Sequence, residues 1–373
     1  MQPASSVSCV AALAAVALVG CGSKEAPPKR ATSAVASSSA AAASAKPVAA
    51  QASASAAPPR TSTGPKVPVA KLDYKTVEKK PASLGGHSVE AAICSWDAAG
   101  APPGASSFDD PIRGFALAPD DAVLLIDASG AVRRYRDQGE GACELALDRT
   151  FGKDGVLKME LGEADDRLVV DERGAIYVST GFGQKRILNG VISDVCDTTN
   201  RPAAGRRSSV VYLGKRKLAG TECPEDTSLE VWKDDPFTEA ARVEKDGITF
   251  MGTFDRGNGF RTSQAAFNDF SGKRVVVVGD QDGEGSCLSV HDVFRSSLGL
   301  SVVDLNGSSL RVWTLAGKLV GALNVDDTVG VDLVPLFGQA SGPEDRTTWI
   351  AAAGRSATKD EYLPLVAKLE ISP

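Results

Sequence analysis

Residues 167–188, RLVVDERGAIYVSTGFGQKRIL, decide how the chain is read. Two short apolar runs, 168–170 and 175–178, flank an acidic turn that ends in Gly174, and a second turn holding Gly181 and Gly183 leads to a third run. The runs are rich in β-branched residues and lack helical spacing, which predicts strands. The stretch recurs. Residues 115–135, FALAPDDAVLLIDASGAVRRY, overlay it at an offset of 52: Leu117, Ala118, Val123, Leu124, Leu125 and Ile126 face Val169, Val170, Ala175, Ile176, Tyr177 and Val178, and Arg133-Arg134 face Lys185-Arg186. A third copy, FNDFSGKRVVVVGDQDG at 267–283, sets its valine run on 175–178 at an offset of 100, close to twice the first spacing. SLEVW at 228–232 and SLRVW at 309–313 echo each other at an offset of 81, so the units are unequal.

A unit of this kind cannot bury both faces of its sheet alone. Repeats of about 40–50 residues made only of strands are the mark of a β-propeller, in which each blade packs on the next around an axis. Residues 67–373 have room for six blades, or seven. A pair of β-sandwich domains also uses short strands and glycine turns, but the regular spacing of about 52 residues favours the propeller. The pattern LVVDERGAIYVS resembles the blades of NHL-type six-bladed propellers. Such blades carry an Asp just after the second strand; Asp127 fits that place, whereas Ser179 and Gly279 do not.

Working outward to the start of the chain, residues 1–20 carry no charged side chain and an apolar run of about ten residues. A spanning helix needs about 20, whereas a signal-peptide core needs about this many. The run ends in Leu18-Val19-Gly20-Cys21, which resembles the bacterial lipobox, although no Lys or Arg precedes it. That resemblance implies cleavage before Cys21, acylation of its thiol and, with Gly22 rather than Asp following, transfer to the outer membrane. The alternative is an ordinary signal peptide cut elsewhere. Acyl chains contribute about 0.8 kcal/mol per buried methylene, so several chains on Cys21 would hold the protein durably at the membrane.

Residues 21–66 form an Ala/Ser/Pro-rich tether with almost nothing bulky to bury, which predicts disorder and a mean reach of roughly 35–40 Å. The tether carries six basic residues against Glu25, a net +5; with −6 for the whole chain, this leaves −11 on residues 67–373. An acidic domain argues against nucleic-acid binding.

Five cysteines follow the anchor: Cys94, Cys143, Cys196, Cys223 and Cys287. Export favours disulfides, but an odd number leaves one over. Spacings of 49 and 53 put Cys94, Cys143 and Cys196 at near-equivalent places in successive units. Equivalent outer positions of neighbouring blades lie beyond the roughly 7 Å limit for a bridge, so these three are not expected to pair with one another unless they lie near the axis. Cys196 with Cys223 is the expected pair. The loop Asp280-Gln-Asp282-Gly-Glu284-Gly resembles the calcium loops of integrin-type propeller repeats, with Asp280, Asp282 and Glu284 as Ca2+ ligands; Leu288 stands where those repeats carry Asp. A solvated acidic turn is the competing reading. His87 and His291 neighbour no nucleophile motif, and three of the four tryptophans lie in strand-like runs that suit blade packing. These features point to a membrane-anchored binding or scaffolding propeller with a protein or envelope-glycan partner. The alternative is a metal-dependent propeller hydrolase or lactonase.

Overall fold

The computed structural model describes residues 69–372 except 71, 99, 139–142, 160–166, 171–173, 181–182, 189, 197–201, 205–209, 213–216, 220–238, 245, 256–260, 270–272, 280–287, 306 and 342–343. The described strands form six sheets. Sheet I holds Ile112–Leu117, Val123–Asp127, Ala131–Asp137 and Glu144–Leu147. Sheet II holds Arg167–Val170, Ile176–Thr180, Gly183–Leu188 and Val191–Cys196. The repeat at 52 residues therefore holds for the first three strands of these two sheets, and the fourth is shifted. Sheet III holds Pro202–Ala204, Val210–Tyr212 and Lys217–Ala219, and sheet IV holds Glu239–Val243, Gly247–Asp255, Arg261–Asp269 and Arg274–Gly279. Sheet V runs through Val290–Ser296, Gly299–Asp304, Ser309–Trp313 and Leu319–Asn324. Sheet VI takes Leu333–Ala340, Thr347–Arg355 and Tyr362–Ile371 from the end of the chain and His87–Ile93 and Ala82–Leu84 from nearer its start.

The third repeat copy needs correction. Its valine run lies in Arg274–Gly279, the fourth strand of sheet IV, whereas 175–178 belongs to the second strand of sheet II. A continuous β-branched run marks a strand buried on both faces wherever it stands in the sheet, so it cannot by itself fix strand order.

The first strand of each sheet packs on the first strand of the next, from I through VI and back to I, and this closes the ring of a β-propeller. Its core is divided accordingly. One apolar cluster lies between sheets I and II, with Leu124, Ile126, Val132, Leu157, Ile176 and Ile187; another joins V to VI through Phe294, Val303, Ile350 and Leu365. Further clusters join VI to I and IV to V. The innermost strands of sheets I, IV, V and VI each carry a one-residue bulge, at Arg113, Ala241, His291 and Leu336. Bulges increase local twist, which lets a sheet radiate from an axis.

An innermost strand has one edge without a ladder partner, and a buried unpaired N–H is costly. Neighbouring sheets supply the acceptors. Gly338 N of sheet VI donates to Asp292 Oδ2 of sheet V at 3.1 Å, and Leu117 N of sheet I donates to Gln339 Oε1 of sheet VI at 2.9 Å.

The seam between VI and I is where the chain closes on itself. His87–Ile93 pairs antiparallel with Tyr362–Ile371, and two residues later Ser95–Asp97 pairs parallel with Glu144–Leu147 at the edge of sheet I. Between them, Cys94 bonds Cys143 with Cα atoms 4.5 Å apart. The expectation that these two cysteines stay apart is thus overturned: they immediately precede two strands paired in one sheet, Ser95–Asp97 and Glu144–Leu147, rather than standing at equivalent points of two blades. Trp96, Trp313 and Trp349 are buried in strands, as blade packing requires.

Candidate functional site

Ile176, Ile187 and Ile192 are direct cross-strand partners on the second, third and fourth strands of sheet II. Because side chains alternate along a strand, this register puts all three on one face and makes a ladder across the sheet. Ile176 and Ile187 are buried against sheet I, whereas Ile192 is 40% exposed. The ladder thus starts in the interface between two sheets and runs out into solvent. Leu188 and Val191, on either side of the hairpin turn, are exposed as well, Val191 at 66%.

Facing the ladder is a turn of sheet I. Phe151 and Leu157 are buried in it, and Gly152 and Gly155 have φ of +58° and +88°. At Gly155 an added Cβ would come 2.5 Å from Leu147 Cγ, so only glycine lets this turn fold back on its own sheet. The short strand Val156–Lys158 returns antiparallel to 131–133. Turn and hairpin enclose a groove of about 900 Å³ whose floor is Leu124, Phe151, Leu157, Ile176 and Ile187.

Its rim is polar and mostly basic. Arg134 Nη2 meets Asp120 Oδ2 at 2.5 Å, and Arg136 bridges Asp120 and Asp148 at 3.0 Å each. Burial pushes the Asp148 carboxyl upward, but hydrogen bonds from Thr150 Oγ1 and N, together with the Arg136 guanidinium, hold it below the ordinary carboxylate range. These acids are already taken up by arginines. Lys153 and Lys158 also line the groove, both exposed, and among the described residues neither has an ion-pair partner. A cationic rim over an aliphatic floor suits a ligand with apolar groups on one side and negative charge on the other.

None of the groove residues is one that the sequence singled out as a site residue. Cys21, Cys223, Asp280, Asp282 and Glu284 fall outside the described residues, and Cys196 ends a described strand of sheet II while its side chain does not belong to them. Among the described residues no three His, Cys, Asp or Glu side chains assemble as a metal set. His87 opens its strand in sheet VI, and His291 is the bulged residue of sheet V, its ring 5.4 Å from that of Phe337. The groove residues were missed because no motif contains them. The available signal was Ile187-Leu-Asn-Gly-Val-Ile192, an Asn-Gly hairpin turn with bulky aliphatic residues on both sides of its tip.

No family model and no curated protein matches the chain. Among solved structures it is similar to an α-L-arabinofuranosidase of Fusarium graminearum at 8% identity and a TM-score of 0.47, covering 79% of this chain and 98% of that one. It is also similar to a gluconolactonase of Xanthomonas campestris at 14% identity and a TM-score of 0.41, covering 82% and 98%. The WD40 propeller domain of Doa1 aligns at 12% identity and a TM-score of 0.40, over 72% of this chain and 96% of that one.

Proposed function

We propose that the chain is a lipid-anchored, six-bladed binding propeller that works outside the cytoplasm. The anchor reading rests on Leu18-Val19-Gly20-Cys21 at the end of the apolar run, and the Cys94–Cys143 bridge suits an oxidising compartment. The blade number follows the six sheets and their cyclic contacts. One observation carries the binding role: the groove between sheets I and II exposes an aliphatic ladder beside lysines that have no acidic partner among the described residues. An apolar cleft with a few convergent polar groups is where a ligand gains most from leaving water.

The experiment uses the full-length protein in a Gram-negative envelope. Metabolic labelling with a fatty acid is expected to mark the wild type and not Cys21→Ala, which is released from the membrane fraction. Chemical crosslinking of intact envelopes is expected to retain a specific partner, either protein or glycan. A protein that takes no label, or that crosslinks to nothing above background at native abundance, would remove this reading.

A further inference from the structure

We infer that the groove takes an extended, acidic peptide segment of a partner protein, added as a fifth strand to the outer edge of sheet II; this rests on the binding reading above. Val191–Cys196 is the last strand of its sheet, and among the described residues its outer edge pairs with nothing. Exposed edges invite pairing, and natural sheets protect them with charges, proline or a covering loop. Along its tip this strand instead presents Val191 and Ile192 to solvent.

The register defines what the added strand must look like. Ile176, Ile187 and Ile192 occupy successive rungs of one face, and among the described residues no strand supplies the next rung outward. An apolar side chain there continues the ladder outward from Ile192, along the wall that faces the turn of sheet I. Because a strand alternates faces, its apolar residues recur at every second position. The residues between them are chosen by the rim: Lys153 and Lys158 stand exposed and, among the described residues, unpaired, while Arg134 is held by Asp120 and Asp148. Acidic residues answer the two lysines. The body that carries the groove is otherwise acidic, −11 over residues 67–373, so an acidic segment gains no long-range attraction and is selected by the two local lysines alone. Backbone pairing at the edge supplies affinity, and the alternate side chains supply selectivity.

The test measures binding of a synthetic peptide, Glu-Val-Glu-Val-Glu-Val-Glu with capped ends, to the purified full chain by calorimetry and by chemical-shift changes. Its comparison probes are a Lys-Val peptide of the same pattern, the Glu-Val peptide N-methylated at alternate backbone nitrogens, a polyuronate oligosaccharide, and phosphatidylglycerol vesicles. The expected result is binding of the Glu-Val peptide, with shifts at Lys153, Lys158 and Ile192. Lys153→Glu/Lys158→Glu should weaken it at least tenfold while leaving the thermal transition unchanged, and N-methylation should abolish it. Equal binding of the Lys-Val peptide, equal binding of the N-methylated peptide, or no binding of the Glu-Val peptide each overturns the proposal. So does occupation of the groove by the oligosaccharide or the vesicles alone. The two readings fail separately: if the lysine double variant still crosslinks its envelope partner, the peptide assignment is lost and the binding role stands.

Discussion

At the scale of single residues, the turn between the second and third strands is held by one buried carboxylate. Asp127 Oδ1 accepts from Ser129 N, Ser129 Oγ and Ala131 N at 2.8, 2.6 and 3.1 Å, and Oδ2 meets Arg133 Nε at 2.5 Å. Sheet V repeats the device with Asp304 and Arg311 at 2.9 Å, and sheet IV has a related contact one turn later, between its third and fourth strands, with Asn268 and Arg274 at 2.7 Å. Both carboxylates are fully buried. Removing one partner of such a pair strands the others, so Asp127→Ala is expected to lower unfolding free energy by about 3–5 kcal/mol in urea titrations. Asp127→Asn should cost less, because an amide oxygen still serves the three turn donors; equal losses for both would contradict this account. A second carboxyl behaves differently. Partial burial, and next the charge of Asp332, raise Asp326 to about 7. A folded-state value above the unfolded one of about 3.9 means that stability from this group is complete below pH 4 and is lost as pH rises through 7. Asp326→Asn should therefore gain stability relative to wild type at pH 8, on the order of 1 kcal/mol after solvent screening of a half-exposed group, and gain nothing at pH 4. Urea midpoints at the two pH values decide it.

At the scale of elements, the sheets meet so closely that some innermost strands require glycine. A Cβ at Gly338 of sheet VI would lie 2.3 Å from Phe294 Cε1 of sheet V, and one at Gly114 of sheet I would lie 3.2 Å from Leu168 Cβ of sheet II. Gly338→Ala is expected to destabilise by about 1–3 kcal/mol through overpacking. Combining it with Phe294→Leu should recover part of that loss, since contacting residues couple. Strict additivity in calorimetric melts would show that the ring does not rest on the glycine. The same spacing between sheets I and II leaves the groove. There the turn of 150–158 and the 183–196 hairpin diverge, and the Ile176–Ile187–Ile192 ladder reaches solvent.

At the scale of the whole molecule, stability depends on closing a ring whose two ends come from opposite parts of the chain. His87–Ile93 completes sheet VI, and Cys94 ties that strand's exit to sheet I through a bridge spanning 49 residues. A loop of this length corresponds to roughly 4 kcal/mol of chain entropy removed from the unfolded state. Cys94→Ala/Cys143→Ala, or reduction of the wild type, should lower the urea midpoint by an amount equivalent to about 2–4 kcal/mol. A chain beginning at Ser95 leaves the edge of Tyr362–Ile371 open. It is expected to lose its single cooperative transition and to be cut early by protease; an unchanged melt would mean that the closing strand is dispensable.

Much of the architecture was legible in the sequence because it depends on local chemistry. Short β-branched runs between glycine turns define strands, and their return after 52 residues in sheets I and II defines a unit that must stack. Asp127 stood out in the sequence only by its place in the NHL-type pattern; that it is buried and holds Ser129, Ala131 and Arg133 came from the structure. Where the pattern failed, the missing information was spatial. A valine run looks alike in any buried strand, so 275–278 was assigned to the wrong place in its sheet. Spacing alone could not show that Cys94 and Cys143 precede neighbouring strands, because that follows from a closure between residues 282 positions apart at Val89 and Ile371. The groove was hidden for the same reason. Lys153 and Lys158 belong to sheet I and Ile192 to sheet II, and only their meeting in three dimensions turns two ordinary lysines and an exposed isoleucine into a surface that a partner could recognise.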